Sequence, residues 1–301
     1  MYCITKVSFA WWNTGLSPAG KSRLDQLHMD HVCDVIKYLI ISAQVDFIAL
    51  GEVNDADIAY LTPLAREYGY EMFNGYEKSK GRSYFDLCAL YRKDVIFLES
   101  GEPISVMQLT RSHKLAQKLI FYIYGEEFPL HTFISHWPSR MRTENEAIRN
   151  QLGMRLRSEV EELLTLYKNE SLVVLLGDYN DEPFDSSISD YLLSTRDKEL
   201  AEKKSEVLYN PFWKIYGQPL LTNQGNNGLI RGTYYYKSDP LCKWKVFDQM
   251  IFSSSFLSGR WRLNERLTGV VDVPNLRNLV IGKTVNFDHF PIVSVIERIN
   301  L

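Results

Sequence analysis

Cysteine is scarce in this sequence. The 301 residues hold four, Cys3, Cys33, Cys88 and Cys242, far apart and with no CxxC pair. That spacing argues against a disulfide framework and for free, mostly buried thiols in a reducing compartment. Charge of one sign is also missing. The formal net charge is −3, so no basic field announces a nucleic-acid partner, although local patches can still steer one. No apolar run approaches the roughly 18 residues that a membrane span needs. The opening MYCITKVSFAWWN lacks a signal-peptide pattern and reads as a first strand. Repeats, low-complexity tracts and Gly/Ser linkers are absent as well. What remains is a globular protein, expected to be cytoplasmic and to form one domain over residues 1–301, with nothing to specify a protein partner.

Hydrophobic residues make up 45% of the chain and aromatics 13%, enough for a sizeable core. Residues 4–10 read as a strand ending at Trp11, Trp12 and Asn13. Residues 22–43 carry apolar side chains at helical spacing. VDFIALGEV (45–53) is a short apolar strand that delivers Glu52. Residues 55–68 look helical, with Pro63 breaking or kinking the pattern. FDLCALYR (85–92) is a strand, and KLIFYIYG (118–125) with PLHTFISHW (129–137) forms a plausible hairpin. Between them LTRSHKLAQK looks like a solvated loop, whose Arg111, His113 and Lys114 are within reach of a phosphate. Residues 143–168 give the longest helix signal, with Thr143 and Glu146 spaced for a capping box. Strands follow at 171–176, 245–254 and 289–297. The order mixes βα steps with antiparallel pairs, which argues for a layered α/β protein with mixed sheets.

SLVVLLGDYNDEP (171–183) poses the functional question, because a buried strand runs into Gly177 and then acids crowd the loop. Similar strand tips recur: Asn13 after SFAWW, Glu52 after FIALG, His136 after LHTFIS, Asp178 and Asn180 after LVVLLG, Asp248 after KVF, and Asp288–His289 before FPIVSVI. One such tip is an ordinary cap or turn. Six separated ones, mixing Asn, Asp, Glu and His, point to a site built where strand ends gather.

The patches WWN, GEVND, SHWPSR, GDYNDEP, FDQMIFS and FDHFPI resemble, in order, the motif set of the endonuclease/exonuclease/phosphatase family. Its members include pancreatic-type deoxyribonucleases, apurinic endonucleases, sphingomyelinases and inositol-polyphosphate 5-phosphatases. The match runs from Asn13 to His289, and GDYND with SHWPSR is more similar to the bacterial nuclease-like branch. The resemblance implies a four-layer α/β sandwich: two mixed β-sheets packed face to face, flanked by helices. It also implies divalent-metal-dependent cleavage of phosphoester bonds. Hard oxygen ligands of these types suit Mg²⁺ or Mn²⁺. Glu52 is the first-choice metal ligand, with Asn13 beside it and Asp288 as a further metal or water ligand. Asp178 would orient or deprotonate the attacking water, and Asn180 would hold the phosphate. His289 would donate to the phosphate with Asp248 fixing its tautomer, and His136 would be a second imidazole there. Arg140 is placed to reach a substrate phosphate. Glu77 precedes its strand as a histidine-orienting glutamate does in deoxyribonuclease relatives.

The remaining histidines have plainer explanations. His28 and His31 sit on the first helix as packing or surface groups, and His131 alternates within a strand. Trp11, Trp12 and Trp137 suit the core better than a base-stacking platform. An extended segment puts 178 and 180 on one side and 179 and 181 on the other, so Tyr179 should pack away while Asp181 and Glu182 hold the turn. Three functions compete: a nuclease acting on DNA or RNA, a small-molecule phosphoesterase, and a metal-binding interaction module without turnover. Filled catalytic positions weigh against the last. The near-neutral charge leaves room for a short or single-stranded nucleic-acid substrate. The irregular, Tyr-rich segment 195–245, with GTYYYK and Arg231, is the expected specificity region.

Overall fold

The computed structural model describes residues 4–18, 21–22, 25–78, 84–108, 111–218, 220–221, 229–282 and 285–299. In chain order, β1 (Lys6–Asn13), α1 (Gln26–Ile41), β2 (Phe47–Gly51), α2 (Asp55–Glu67) and β3 (Tyr70–Asn74) come first. The short strands β4 (Glu77–Lys78) and β5 (Tyr84–Phe85) pair with each other before β6 (Leu87–Arg92). β7 (Ile96–Gln108), β8 (Arg111–Ile123), β9 (Leu130–His136), α3 (Glu144–Tyr167) and β10 (Leu172–Asp178) follow. Small elements come next: β11 (Ser194–Thr195), α4 (Lys198–Lys203), β12 (Leu208–Tyr209), β13 (Leu220–Leu221), β14 (Leu229–Ile230), β15 (Tyr234–Tyr235) and β16 (Trp244–Lys245). The chain ends with β17 (Asp248–Phe252), α5 (Ser255–Ser258), β18 (Trp261–Val270), α6 (Leu276–Ile281) and β19 (Ile292–Arg298).

Two mixed sheets carry the fold. One has six strands in the order β18-β19-β1-β2-β6-β3, and the other seven in the order β11-β12-β17-β10-β9-β8-β7. Strand periodicity sorts the side chains into three apolar layers. Phe9 and Trp11 of β1, with Val174 and Leu176 of β10 and Met250 of β17, fill the space between the sheets. The alternate residues Ala10 and Trp12 of β1 and Ile48 of β2 pack outward against Val35, Ile36 and Leu39 of α1 and Leu61 of α2. Val173 and Leu175 of β10 pack outward against Leu152, Leu156 and Val160 of α3. Helix, sheet, sheet, helix is therefore the layer order, as the motif resemblance implies. Truncating one of the buried aliphatics of β10 to Ala would cost about 2–5 kcal/mol.

Several local expectations are corrected. Thr143 forms no capping box: its backbone is already helical (φ −60°, ψ −36°) and its side chain makes no cap hydrogen bond. The box is found instead at α2, where Asn54 accepts from Asp57 N and Asp57 accepts from Asn54 N. Pro63 does not end α2, which continues to Glu67. From Arg111 onward, the stretch expected to be a loop is strand β8, paired residue by residue with β7; Leu109 and Thr110 lie outside the described residues. Of the thiols described, Cys88 is buried, Cys33 is half-buried and Cys242 is exposed, so they are not mostly buried.

Candidate active site

Sheet register assembles the site. On β10, Asp178 pairs with His136 of β9 on one side and with Asp248 of β17 on the other. All three have the parity of the inter-sheet core residues on their own strands, so they continue the core's inner face by one step. On the facing sheet, Asn13 of β1 pairs with Gly51 of β2, and Glu52 follows directly. Trp11 lies over Gly51, where an added Cβ would come within 2.6 Å of the indole. Gly177 is equally constrained, since a Cβ there would meet Ser135 O at 1.9 Å, and its φ is +152°.

Asn13, Glu52, His136, Arg140, Asp178, Asn180, Asp288 and His289 line one cavity of about 910 Å³. Asp248 lies just behind it, fully buried. One oxygen, Asp178 Oδ2, is the focus. His289 Nε2 lies 3.6 Å from it and His136 Nε2 3.9 Å, and Asn13 Nδ2 donates to it at 3.3 Å. Asn13 Nδ2 also lies 3.4 Å from Glu52 Oε1. Both imidazoles are anchored at the opposite nitrogen by a buried carboxylate. His289 Nδ1 bonds Asp248 Oδ2 at 2.8 Å, and His136 Nδ1 bonds Asp86 Oδ2 at 3.0 Å. Asp248 Oδ1 accepts from Trp11 Nε1 at 2.7 Å, which ties the dyad to the other sheet.

The charges respond to this crowding. Burial works against a charged His289, but the Asp248 and Asp178 carboxylates and the hydrogen bond to Asp248 hold its pKa up to about 10. Burial also opposes charge on His136, and Asp86 overcomes it and raises the imidazole. Asp178 is pushed up to about 6, chiefly by burial, with the neighbouring Asp248 charge adding to it and His289 opposing it. Burial would raise Asp86 too, but Lys114 and His136 hold it well below the usual carboxylate range.

Asn180 departs from the extended loop expected of it. Its φ is +52°, in the left-handed region. Its N–H donates to Asp178 Oδ1 at 2.9 Å, a turn that Asn adopts readily. Its side-chain amide donates to Trp137 O at 3.0 Å and still lines the cavity. Tyr179 is buried against Trp137 on the α3 side. Glu52 is likewise left-handed, with φ +55°, a conformation costing of order 1–3 kcal/mol that tends to accumulate at functional sites.

Glu77 does not join the site. It is exposed on β4, because its strand pairs with Tyr84–Phe85 at the margin, and the carboxylate that holds His136 is Asp86. Strand ends mark the other site residues in the sequence; Asp86 sits at a strand start, where only its place before the apolar LCALYR marks it. Arg140 lines the cavity but is already committed: it bonds Asn180 O, Asp181 at 2.9 Å, and Asp185. Lys114 bonds Asp86. Within GTYYYK, Tyr234 and Tyr236 line the cavity, whereas Arg231 is exposed and does not line it. Residues 219 and 222–228 of the segment 195–245 lie outside the described residues. The plainer assignments also have their places: His28 and His131 are buried, and Trp11 and Trp12 belong to core layers.

The donor set tests whether a cation fits. Among the described residues, five carboxylates line the cavity (Glu52, Asp86, Asp178, Asp239, Asp288) against three Lys or Arg side chains (Lys114, Arg140, Lys245). Asp178, Asp248 and His289 also offer ligand atoms within 4.8 Å of one another. The raised imidazoles of His136 and His289 bring the cationic groups to the number of the carboxylates, so it is the oxygen donors of Glu52 and Asp288 that suit a hard divalent ion.

No curated protein sequence matches the chain significantly. Among solved structures, the human Nocturnin catalytic domain with bound sulfate anion is similar at TM-score 0.62 and 14% identity, covering 98% of this chain and 95% of that one. D. rerio TDP2 complexed with single strand DNA product gives 0.60 and 16%, over 97% and 99%. An endonuclease/exonuclease/phosphatase family protein from Bacteroides thetaiotaomicron gives 0.60 and 14%, over 97% and 95%. At these identities the likeness is one of fold. The sequence pattern of the Endonuclease/Exonuclease/phosphatase family matches residues 17–275, most of the length, and the chain belongs to that family.

Proposed function

We propose that residues 1–301 form one catalytic domain of a divalent-metal-dependent phosphodiesterase, a nuclease that hydrolyses DNA or RNA, working in the cytoplasm. The observation that carries it is the pair of imidazoles, each fixed by a buried carboxylate, turned toward one oxygen of Asp178. Glu52 and Asp288, with Asn13 once its amide turns Oδ1 rather than Nδ2 toward Glu52, would hold Mg²⁺ or Mn²⁺, which would supply charge relief at a phosphoryl oxygen. Asp178 takes the proton of the attacking water; a base with a pKa near 6 is poised for this at neutral pH. His289, kept protonated by Asp248, donates a hydrogen bond to the phosphate, and His136 does so from the other side. Asn180, its amide oriented by Trp137 O, contributes a second kind of donor to the developing charge. The relative that carries single-stranded DNA product supports a nucleic-acid substrate.

A small-molecule phosphoester, such as a phosphoinositide, nucleotide or lipid, is the second reading. It is favoured by one observation: among the described residues, the Lys and Arg side chains of the cavity, Lys114, Arg140 and Lys245, are each paired with a carboxylate, whereas a long polyanion is gripped by unpaired Lys and Arg. A panel with Mg²⁺ and Mn²⁺ separates the two readings. It compares double-stranded DNA, single-stranded DNA, RNA, inositol phosphates and a generic phosphodiester. Turnover of nucleic acid supports the nuclease, and turnover of inositol phosphates alone overturns it. A fully negative panel leaves a metal-binding interaction module.

A further inference from the structure

One wall of the cavity is aromatic in a way the hydrolytic step does not use. The Arg140 guanidinium lies 4.9 Å from the centroid of Phe247. Phe247 is followed by Tyr234 at 5.2 Å with 21° between the planes, and Tyr234 by Tyr236 at 6.3 Å and 16°. All four side chains line the cavity. Phe247 is 5% exposed, whereas Tyr236, at the outer end of the row, is 47% exposed. The row therefore ends in a ring that nothing covers fully, aligned with those behind it.

The wall is fixed relative to the chemistry. Tyr234 lies 4.6 Å from the His289 ring and forms a β-bridge to His289. Tyr235 N donates to Asp288 O and Phe290 N to Thr233 O, each at 2.7 Å. Thr233 Oγ1 accepts from Asp248 N at 2.9 Å. The segment Thr233–Tyr235 is thus hydrogen-bonded to Asp248 and to the two residues that flank His289, and the middle ring of the row, Tyr234, lies directly against the imidazole.

We propose that Phe247, Tyr234 and Tyr236 form a stacking subsite for an unpaired nucleobase next to the scissile phosphate, which makes the substrate single-stranded. This rests on the nuclease reading. Every base has a π-face, and stacking on an aromatic side chain contributes about 1–3 kcal/mol per base. A base inside a duplex is already stacked on both sides and would have to be unstacked first. Because the cavity's Lys and Arg charges are paired, affinity comes from stacking more than from phosphate contacts.

The test compares a single-stranded oligonucleotide with the same strand carrying a tetrahydrofuran abasic unit beside the scissile phosphate. The wild-type enzyme should show a KM about 5- to 150-fold lower for the base-bearing strand, the fold-change equivalent of 1–3 kcal/mol. Tyr236→Ala should collapse that ratio toward one, and Tyr236→Phe should keep it. Tyr124→Ala, an exposed tyrosine beyond the far end of β8, should leave ratio and activity unchanged. A ratio of one in the wild type, or one that survives Tyr236→Ala, overturns the subsite. Binding to Asp178→Asn protein, measured by calorimetry with adenosine 5′-monophosphate and ribose 5-phosphate, separates this from the reaction. A nucleotide preference of about 10-fold that Tyr236→Ala abolishes supports the stack even if no nucleic acid is cleaved. Equal affinity for the two ligands overturns it even if cleavage is found.

Discussion

Asp248→Asn isolates the role of a single buried charge. The side chain is fully buried and receives hydrogen bonds from Trp11 Nε1 and His289 Nδ1. An amide of the same shape keeps an acceptor for one of them and removes the charge. His289 is raised from 6.5 to about 10, against the pull of burial. At about 1.4 kcal/mol per pH unit, that interval corresponds to roughly 5 kcal/mol in favour of the imidazolium, with Asp248 as its largest charged contributor. Without the carboxylate, burial is opposed only by the charges of Asp178 and Asp288, so the His289 pKa should fall and the imidazole should give up its proton at lower pH. The wild type should hold its rate until the pH approaches 10, while in Asp248→Asn the alkaline limb should move to lower pH. At pH 8 the rate should fall by about 10²-fold or more, the scale of a lost acid–base group. Stability gives a second readout, taken in chelator. A histidine whose folded pKa is raised contributes stability in full below 6.5, and that stability is lost as pH rises through 10. Urea melts between pH 7 and 10, where Asp178 has finished titrating, should therefore slope downward in the wild type and flatten in the variant. An Asp248→Asn enzyme with the wild-type alkaline limb and the wild-type slope would refute the assignment.

Four further outcomes are expected. EDTA should abolish turnover, and Glu52→Gln should raise the Mg²⁺ concentration needed for half-maximal rate while the circular dichroism spectrum stays unchanged; full activity in chelator would remove the metal from the mechanism. Asp178→Asn should cost about 10²-fold in turnover yet raise stability at pH 8 in chelator, because a carboxyl pushed up to about 6 is destabilising once ionised. Asp181→Asn should instead spare turnover and weaken the fold: the burial that raises the Asp181 carboxyl is outweighed by the loss of the charge partner of Arg149, 4% exposed and 2.8 Å away, at a cost of about 3–5 kcal/mol; equal turnover losses in the two folded variants would contradict this division. His131 is pushed down to about 4, mainly by burial with Lys118 adding to it. Below pH 6.5 the unfolded chain takes up a proton that the fold refuses, so stability should fall by up to ~3 kcal/mol between pH 6.5 and 4, and His131→Gln should remove most of that slope in urea melts.

The site was legible in the sequence wherever chemistry follows a strand in the same register as the core. VVLL alternates between the two apolar layers, and the next inward position is Asp178. The same step gives Asn13 after Phe9 and Trp11, and His136 after Leu130 and Ile134. Residues that reach the site by other routes were harder to see. Asp86 precedes its strand, so no apolar run leads up to it. β7 exposes Phe97, Met107 and the whole run from Glu99 to Glu102, and β18 exposes Leu267, so neither keeps a clean two-residue period, and the polar start of β8 resembles a loop until β7 is known to lie beside it. Long-range pairing determines these elements, and local propensity is silent about it.

Backbone conformation at the loop tip is the other limit. The two-residue period predicts that Asp178 and Asn180 share a side, and both line the cavity, but not for the reason the period gives. Asn180 is left-handed, and a left-handed residue turns the chain, so alternation stops at 179. What carries Asn180 to the cavity is the bond from its own N–H to Asp178 Oδ1 and the bond from its amide to Trp137 O. The Asp178 carboxylate thus has two tasks, one oxygen closing the turn and the other facing two imidazoles. That division explains why an acid and an amide stand two apart here: the acid builds the loop that presents the amide. Asn also tolerates the left-handed conformation better than any β-branched residue, so its presence at 180 serves the backbone as well as the phosphate.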